Sequence, residues 1–397
     1  MNLYLNKKDA ANAVVLDDLF LTKDMPTTAG SKMLEGYMSL FGAEVIDRLA
    51  AAGYAIGGKA NIGEFSIDLL GETSYFGACE KDGVLTNASA EILNDGAKAV
   101  LNFDVNGTPR RAAALAGKTF IKPTYGTVSR FGTIAVACSG ETVGVMANSA
   151  ADCGEILSAI AGHDDKDGTS LSEAECAKLK SGAEFAKIKK VAVAASITAS
   201  ADDATRAKLS HFCDVMAEQG VEFVEVDDAV LALAKTAWNV CMSAELCNNV
   251  SRLDGVKYGY RTKNYKTIDE LYTNSRTEAF GELLKTAILF GSETLSTDNY
   301  MKVYDKSLRI RRVVCEKFAE LFGEFDAVLL PACGKDKYTM DDVKANKYIS
   351  YDEALYTAPA SLTGLPAVVT GGVQLIGKAF SDLALLDLAA TFEKEDK

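Results

Sequence analysis

The chain has 397 residues, of which 48% are hydrophobic and 24% charged, a balance typical of a globular protein with a large core. Its 42 basic and 55 acidic residues give a net charge of -13, and such a field repels a phosphate backbone, so we expect no direct nucleic-acid binding. No apolar run approaches the ~20 residues of a membrane helix, and no signal-peptide pattern opens the chain, which favours a cytoplasmic protein without a membrane segment. The nine cysteines form no Cys-x-x-Cys pair, so we expect no zinc site.

Helical and strand patterns alternate along the chain. Apolar residues at helical spacing predict a helix over 43–49, and a glycine-punctuated apolar run predicts a buried strand over 53–59. A strand over 189–195, a helix over about 201–218 and a strand over 221–226 follow. The longest helical pattern covers 268–290, with Asp269 and Glu270 in its first turn. This alternation predicts an α/β fold.

The chain shows no sign of division into domains. It has six prolines, no repeat and no Pro/Ser linker, so we expect a single domain over residues 1–397. The polar segment 164–172 is predicted to be an exposed loop between two subregions.

One motif stands out, Lys122-Pro-Thr-Tyr-Gly-Thr-Val-Ser-Arg-Phe-Gly132. It resembles the core motif of the amidase-signature family, and within that family the A subunits of glutamyl-tRNA(Gln)/aspartyl-tRNA(Asn) amidotransferases. Further segments with the same resemblance are Thr27 to Glu35, Gly57 to Phe65, Ala161 to Asp167, Asp254 to Arg261, Ser275 to Gly281, Ala358 to Ala367 and Gly372 to Gly377.

The resemblance implies a fold, a chemistry and a set of partners. The fold is the amidase-signature α/β fold, a mixed central sheet with helices on both faces, here with a shortened N-terminal helical region and C-terminal hairpin. Members hydrolyse amides with a serine nucleophile, a bridging serine and a lysine base, while backbone N–H groups hold the oxyanion. No cofactor is implied. Other amidotransferase subunits are the implied partners.

The catalytic residues of the family are not kept at the corresponding positions. Counting from the matched motifs, the lysine position falls at Asp17, the bridging serine at Val84 and the nucleophile at Thr108. A carboxylate does not replace a lysine base, and valine has no proton to relay. The sequence therefore predicts a homologue without an intact triad, in which the segment between Gly77 and Lys122 is shorter than in the family.

Alternatives at these positions remain open. Thr108 keeps a hydroxyl that could act as a nucleophile in a residual amidase, or it is a solvated turn residue after Gly107. Ser89 is the only serine near enough to replace the bridge, but no glycine-built nest surrounds it. The adjacent carboxylates Asp17-Asp18, Asp164-Asp165 and Asp341-Asp342 are predicted to be solvated. His163 and His211 are too few for a histidine metal site.

The substrate-binding end of the site is better kept. Arg311 matches an arginine that the family's A subunits use for the α-carboxylate of glutamine, a role that suits a planar cation, and Tyr260 matches a glutamine-contacting tyrosine. A surface ion pair is an equally good interpretation of Arg311. Two functions follow: a catalytically impaired binding, scaffold or regulatory homologue, or a residual amidase or glutamine-dependent amidotransferase subunit.

Overall fold

The computed structural model describes residues 2–10, 12–181 and 187–396, and its centre is an eleven-stranded sheet. The strands of the chain are β1 Tyr4–Lys7, β2 Val14–Asp17, β3 Ile56–Ala60, β4 Glu80–Lys81, β5 Val84–Leu85, β6 Ala99–Asp104, β7 Thr119–Lys122, β8 Thr142–Ala147, β9 Lys190–Ala194, β10 Glu222–Val226, β11 Ala327–Pro331, β12 Ala367–Thr370 and β13 Val373–Gly377. Strands β4 and β5 form a separate two-stranded sheet.

The helices are α1 Glu44–Ala51, α2 Ala88–Asn94, α3 Thr108–Ala116, α4 Ala150–Ile160, α5 Glu173–Ser181, α6 Ala195–Ala199, α7 Asp203–Glu218, α8 Ala229–Val250, α9 Ile268–Ala279, α10 Glu282–Thr294, α11 Asp305–Leu321, α12 Met340–Ala345, α13 Ile349–Thr363 and α14 Asp382–Glu395. Short 3-10 turns at Lys32–Leu34 and Glu64–Ser66 and a π-helical turn at Tyr300–Tyr304 complete the regular structure.

The sheet is mixed, as predicted. Its order is β1-β3-β2-β6-β8-β7-β12-β13-β11-β9-β10, in which β2 runs parallel to β3 and β6, and β9 runs parallel to β10 and β11. Alternate residues of one strand enter different cores: Leu101 packs on the face covered by α4, while Val100 packs on the face of α2 and α3. Helices therefore cover both faces, which confirms the predicted α/β architecture.

Most predicted elements are present, but the long helix over 268–290 is two helices. Helix α9 ends at Ala279, Phe280 is extended (φ -96°, ψ 137°), and α10 starts after Gly281. The reason is tertiary: the Gly281 N–H donates to Glu64 Oε2 at 2.8 Å and the Phe280 ring is buried, so the chain turns inward at this point. The longest helix of the described chain is α8, with 22 residues.

The hairpin β12–β13 closes with a two-residue turn. Gly371 and Gly372 have φ values of 55° and 81°, which glycine adopts without strain. In the part of the chain that the structure describes, no helix combines the length and apolarity needed to span a membrane.

Candidate functional site

Asp17 and Thr108 line the same small cavity. Strand β2 ends at Asp17, its neighbour β6 ends at Asp104, and α3 begins four residues later at Thr108, so two adjacent parallel strands deliver both residues to one edge of the sheet. The cavity has a volume of about 10 Å³, room for one water at most. Its lining is Asp17, Ile62, Gly63, Ser66, Asn87, Asn102, Thr108 and Pro109.

The Asp17 carboxylate is fully engaged by the backbone. Oδ1 accepts the Leu19 N–H at 3.0 Å and Oδ2 accepts the Phe103 N–H at 2.5 Å. Burial raises the pKa of Asp17 to about 7, although both hydrogen bonds act in the opposite direction. Asp17 is 1% exposed and Asp18 0%, so the prediction that this pair is solvated was wrong. Asp164 is also buried, and only Asp165 of that second pair is solvated.

The neighbouring Asp18 forms a buried ion pair with Lys59. Lys59 Nζ lies 3.2 Å from Asp18 Oδ1 and also donates to Thr27 Oγ1, while Asp18 Oδ2 accepts the Thr28 N–H at 2.8 Å. Burial raises the pKa of Asp18 and lowers that of Lys59. Lys59 does not line the Asp17–Thr108 cavity, and neither does any other lysine of the described chain.

The Thr108 hydroxyl is committed to a structural hydrogen bond. Thr108 Oγ1 donates to the Asp68 carbonyl at 2.7 Å, and Arg111 Nη2 lies 3.4 Å from Thr108 Oγ1. Thr108 is 4% exposed at the start of α3, so the interpretation as a solvated turn residue was wrong. No hydrogen bond joins Thr108 to Asp17 in the described structure.

Two buried arginines hold the start of α3. Arg110 pairs with Asp104 (Nε to Oδ2, 2.7 Å) and donates to the Thr357 carbonyl at 2.7 Å. Arg111 donates to the carbonyls of Leu69 (3.1 Å), Asn106 (2.8 Å) and Asp68 (2.9 Å). Sequence reasoning missed both, although two consecutive arginines in an otherwise alanine-rich helix are an unusual pattern that could have indicated them.

The backbone donor that precedes Thr108 is also occupied. Gly107 N–H donates to Asp104 Oδ1 at 3.0 Å, and a Cβ at Gly107 would lie 2.4 Å from Thr357 Cβ. An oxyanion site needs N–H groups that point at the reacting oxygen. The Gly107 N–H points at a carboxylate of its own chain.

Asp68 is a buried carboxyl on the loop that contacts Thr108. Asp68 Oδ2 accepts two hydrogen bonds from Thr73, from its N–H at 2.9 Å and from its hydroxyl at 2.8 Å. Asp68 Oδ1 has no hydrogen-bond partner. Burial, together with the charge of Glu72, raises the pKa of Asp68 well above the ordinary range. The carboxyl packs directly on Gly63, where a Cβ would lie 1.7 Å from Oδ2.

Val84 lies in β5, half-buried, and pairs with Lys81 across the β4–β5 hairpin. It does not line the cavity. The residue that this segment contributes is Asn87, whose Nδ2 donates to the Leu70 carbonyl at 2.9 Å and whose Oδ1 accepts the Ser89 N–H at 3.0 Å. The Ser89 hydroxyl accepts Asn102 Nδ2 at 2.8 Å.

The two predicted substrate-binding residues have different surroundings. Tyr260 lines a larger cavity of about 740 Å³, its Oη donates to Glu278 Oε2 at 2.8 Å, and Lys32 Nζ lies 4.3 Å from its ring centroid. Arg311, on α11, donates through Nη2 to the Ser139 carbonyl at 3.2 Å and does not line that cavity. The described residues contain no group of three or more His, Cys, Asp or Glu side chains arranged to hold a metal ion.

The sequence pattern of the family described as Amidase matches residues 13–81 and 98–386. The chain belongs to the amidase family. The unmatched interval, 82–97, holds Val84, Asn87 and Ser89, and so coincides with the segment where the bridging serine is expected.

Similar proteins agree with this assignment. The chain is 34% identical to the A subunit of the glutamyl-tRNA(Gln) amidotransferase of Lachnoclostridium phytofermentans, over 96% of this chain and 82% of that protein. It is also 34% identical to the protein of the same name from Coxiella burnetii, over 95% and 82%. The crystal structure of the Thermotoga maritima protein of that name superimposes with a TM-score of 0.81 at 24% identity, over 99% of this chain and 87% of that one, which supports the shared fold.

Proposed function

We propose that this chain is a catalytically impaired homologue of the amidotransferase A subunit that acts by binding, as a scaffold or regulatory protein. The observation that carries the proposal is the small cavity at the Asp17 and Thr108 positions. Its volume of about 10 Å³ leaves no space for an amide substrate beside Thr108.

The hydrogen bonds around the cavity support the same conclusion. An activated nucleophile needs a base within hydrogen-bond reach of its proton. The Thr108 proton is donated to the Asp68 carbonyl, and both Asp17 oxygens accept backbone N–H groups. Thr108 cannot act as a nucleophile with Asp17 as its base unless a buried hydrogen bond is lost. Leaving a buried polar group unpaired costs about 1–3 kcal/mol.

The partners that this proposal implies are other subunits of an amidotransferase. Support comes from the relatives that share 34% identity over most of the chain, which carry the name of the A subunit of such an enzyme. The net charge of -13 argues that any nucleic acid would be contacted by a partner and not by this chain.

Hydrolysis assays test the impairment directly. We expect purified protein to release no ammonia from glutamine or asparagine, and no product from an aryl amide, above the level of Thr108→Ala. Thr108→Ser should also remain silent, because it restores a serine without a base or a free oxyanion donor. Turnover by the native chain that Thr108→Ala abolishes would establish the residual amidase instead.

The role of Arg311 in ligand binding is tested separately. If Arg311 binds the carboxylate of glutamine, a thermal scan with glutamine should raise the melting temperature of the native chain but not of Arg311→Ala. Because Arg311 is already bonded to the Ser139 carbonyl, we expect Arg311→Ala to lower stability by about 1 kcal/mol without any ligand. Equal shifts with glutamine in both proteins would exclude this role.

A further inference from the structure

The cavity that Tyr260 lines has an unusual charge for this chain. The 740 Å³ cavity is bordered by the cations Lys32, Arg252 and Lys257 and by the carboxylate of Glu35. The lining therefore carries an excess of positive charge, whereas the whole chain has a net charge of -13. In the described part of the chain, none of these cations is held in an ion pair.

The remaining walls are aromatic and apolar. Tyr260 presents its ring to Lys32 Nζ at 4.3 Å, and the rings of Phe65, Tyr37 and Tyr258 line the cavity as well. Tyr258 is 59% exposed, which leaves the ring available to a ligand. The volume falls in the range of about 300–1,000 Å³ that is usual for small-molecule sites.

The loop that carries Lys257 and Tyr258 is held in place from both sides. Asp254 Oδ1 accepts the N–H groups of Val256 (2.8 Å) and Lys257 (3.0 Å), and Tyr260 N–H donates to the Met33 carbonyl at 2.7 Å. Gly259, at φ 84°, packs against Met33 so closely that a Cβ would lie 2.5 Å from the sulfur. The wall is thus formed before any ligand arrives.

The negative groups near the cavity are largely satisfied. The carbonyls of Val250, the last residue of α8, and of Leu253, in the loop after it, accept Arg276 Nη1 at 3.1 and 3.0 Å. The Glu278 carboxylate accepts Tyr260 Oη and Thr262 Oγ1, both at 2.8 Å, and does not line the cavity. Glu35 is the only acidic side chain among the lining residues.

We propose that this cavity binds a small organic anion with two or more negative charges and an aromatic or apolar body. A cleft lined by one sign of charge concentrates counter-ions, and aromatic walls favour a planar ligand. Glutamine, with no net charge, fits this lining less well than a dianion. The inference rests on the proposed function in that it gives the binding protein a ligand class, but it places the ligand at Lys32, Arg252 and Lys257 and not at Arg311.

Calorimetric titration of the purified full chain tests the proposal. The probes are phthalate, phenyl phosphate, benzoate and glutamine. We expect one of the two dianions to bind more tightly than benzoate, and glutamine to bind most weakly. The comparison of phthalate with phenyl phosphate decides between a carboxylate and a phosphate ligand. Absence of binding by both dianions, or glutamine binding at least as tightly, would overturn the proposal.

Substitutions then locate the site. The combined change Lys32→Gln, Arg252→Gln and Lys257→Gln should weaken dianion binding by about tenfold or more, since each exposed charge pair contributes modestly. Lys257→Glu should weaken it more than Lys257→Gln. Lys302→Gln, an exposed lysine outside the cavity, is the matched control and should bind normally. Unchanged affinity in all cavity variants would contradict the assignment, whereas glutamine hydrolysis would contradict only the catalytic impairment.

Discussion

The carboxyls of Asp17 and Asp68 differ in how their oxygens are used. Asp17 accepts one backbone N–H on each oxygen, whereas Asp68 accepts two donors from Thr73 on Oδ2 and leaves Oδ1 unpaired. An asparagine offers one acceptor oxygen and one amide donor. The same substitution therefore has different consequences at the two positions.

We expect Asp17→Asn to lower the free energy of unfolding by about 1–3 kcal/mol, because one backbone N–H must face an amide N–H. Asp68→Asn should be neutral or stabilising near neutral pH, since its oxygen keeps both Thr73 bonds and the folded protein no longer has to hold a proton on a carboxyl whose pKa burial raises. Urea denaturation of both variants beside the native chain measures the difference. Equal losses would show that burial, and not the pattern of donors, governs these sites.

The sequence predicts part of this site from the family resemblance. The resemblance assigns Asp17 and Thr108 to one site, and their strands β2 and β6 are neighbours, so the fold brings the two residues to the same end of the sheet. Val84 could not be placed in this way, because it falls in the interval 82–97 that departs from the family pattern. The burial of Asp17 and Asp18 depends on N–H groups and a lysine from distant segments, which local sequence does not show.

At the level of elements, helix α3 fixes the state of the candidate site. It begins at Thr108 with Gly107 in the left-handed region (φ 81°) and ends at Gly117, also left-handed (φ 61°). Around Gly107 the Thr357 side chain leaves no space, whereas no atom lies within 4 Å of a Cβ at Gly117. Comparing substitutions at the two glycines therefore distinguishes the cost of a steric clash from the cost of the left-handed backbone.

We expect Gly117→Ala to cost about 1–2 kcal/mol from the left-handed backbone alone. Gly107→Ala should cost at least about 1–3 kcal/mol more, because its methyl group must displace Thr357. Chemical denaturation of the two variants provides the comparison. A loss at Gly107 no larger than that at Gly117 would show that α13, which carries Thr357, shifts freely and that the start of α3 is not tightly held.

The prediction of a single helix over 268–290 was wrong because of a contact between distant segments. Its helical periodicity continues through Phe280 and Gly281, yet the chain bends there because Glu64 binds the Gly281 N–H. A contact 217 residues apart in sequence decides the boundary. The predicted elements over 43–49, 201–218 and 221–226 match α1, α7 and β10 within a few residues, although distant segments also contact their first residues, as in the Glu44 N–H bond to the Phe131 carbonyl at 3.1 Å.

Several carboxyls are buried in the part of the molecule that the structure describes. Burial raises the pKa of Asp17 and of Glu64 to about 7, and it also raises the pKa of Asp68. The same direction holds for Asp18, Glu141, Glu353 and Asp382. The carboxyls with lowered pKa values, such as Asp342 at about 2, titrate in a more acidic range.

A carboxyl with a raised pKa keeps its proton longer in the folded state than in the unfolded chain. The folded state therefore binds more protons between the ordinary pKa of about 4 and the raised value of about 7, and stability falls as pH rises through that window. Burial lowers the pKa of Lys122 to about 7. This lysine therefore changes the difference in bound protons between the folded and unfolded states only above that pH. The buried carboxyls act in the window from about pH 5 to 7, and exposed His163, whose pKa its hydrogen bond to Asp165 raises, acts there in the same direction.

We accordingly expect the free energy of unfolding to decrease from about pH 5 to about pH 7, with each raised pKa unit worth about 1.4 kcal/mol per group at most. Asp68→Asn should reduce the slope, because it removes one of the titrating groups from the core. Asp9→Asn, at an exposed carboxyl, is the matched control and should leave the slope unchanged. Urea titrations at several pH values provide the measurement, and a stability that rises toward pH 7 would mean that these carboxyls are ionised at little cost in the folded protein.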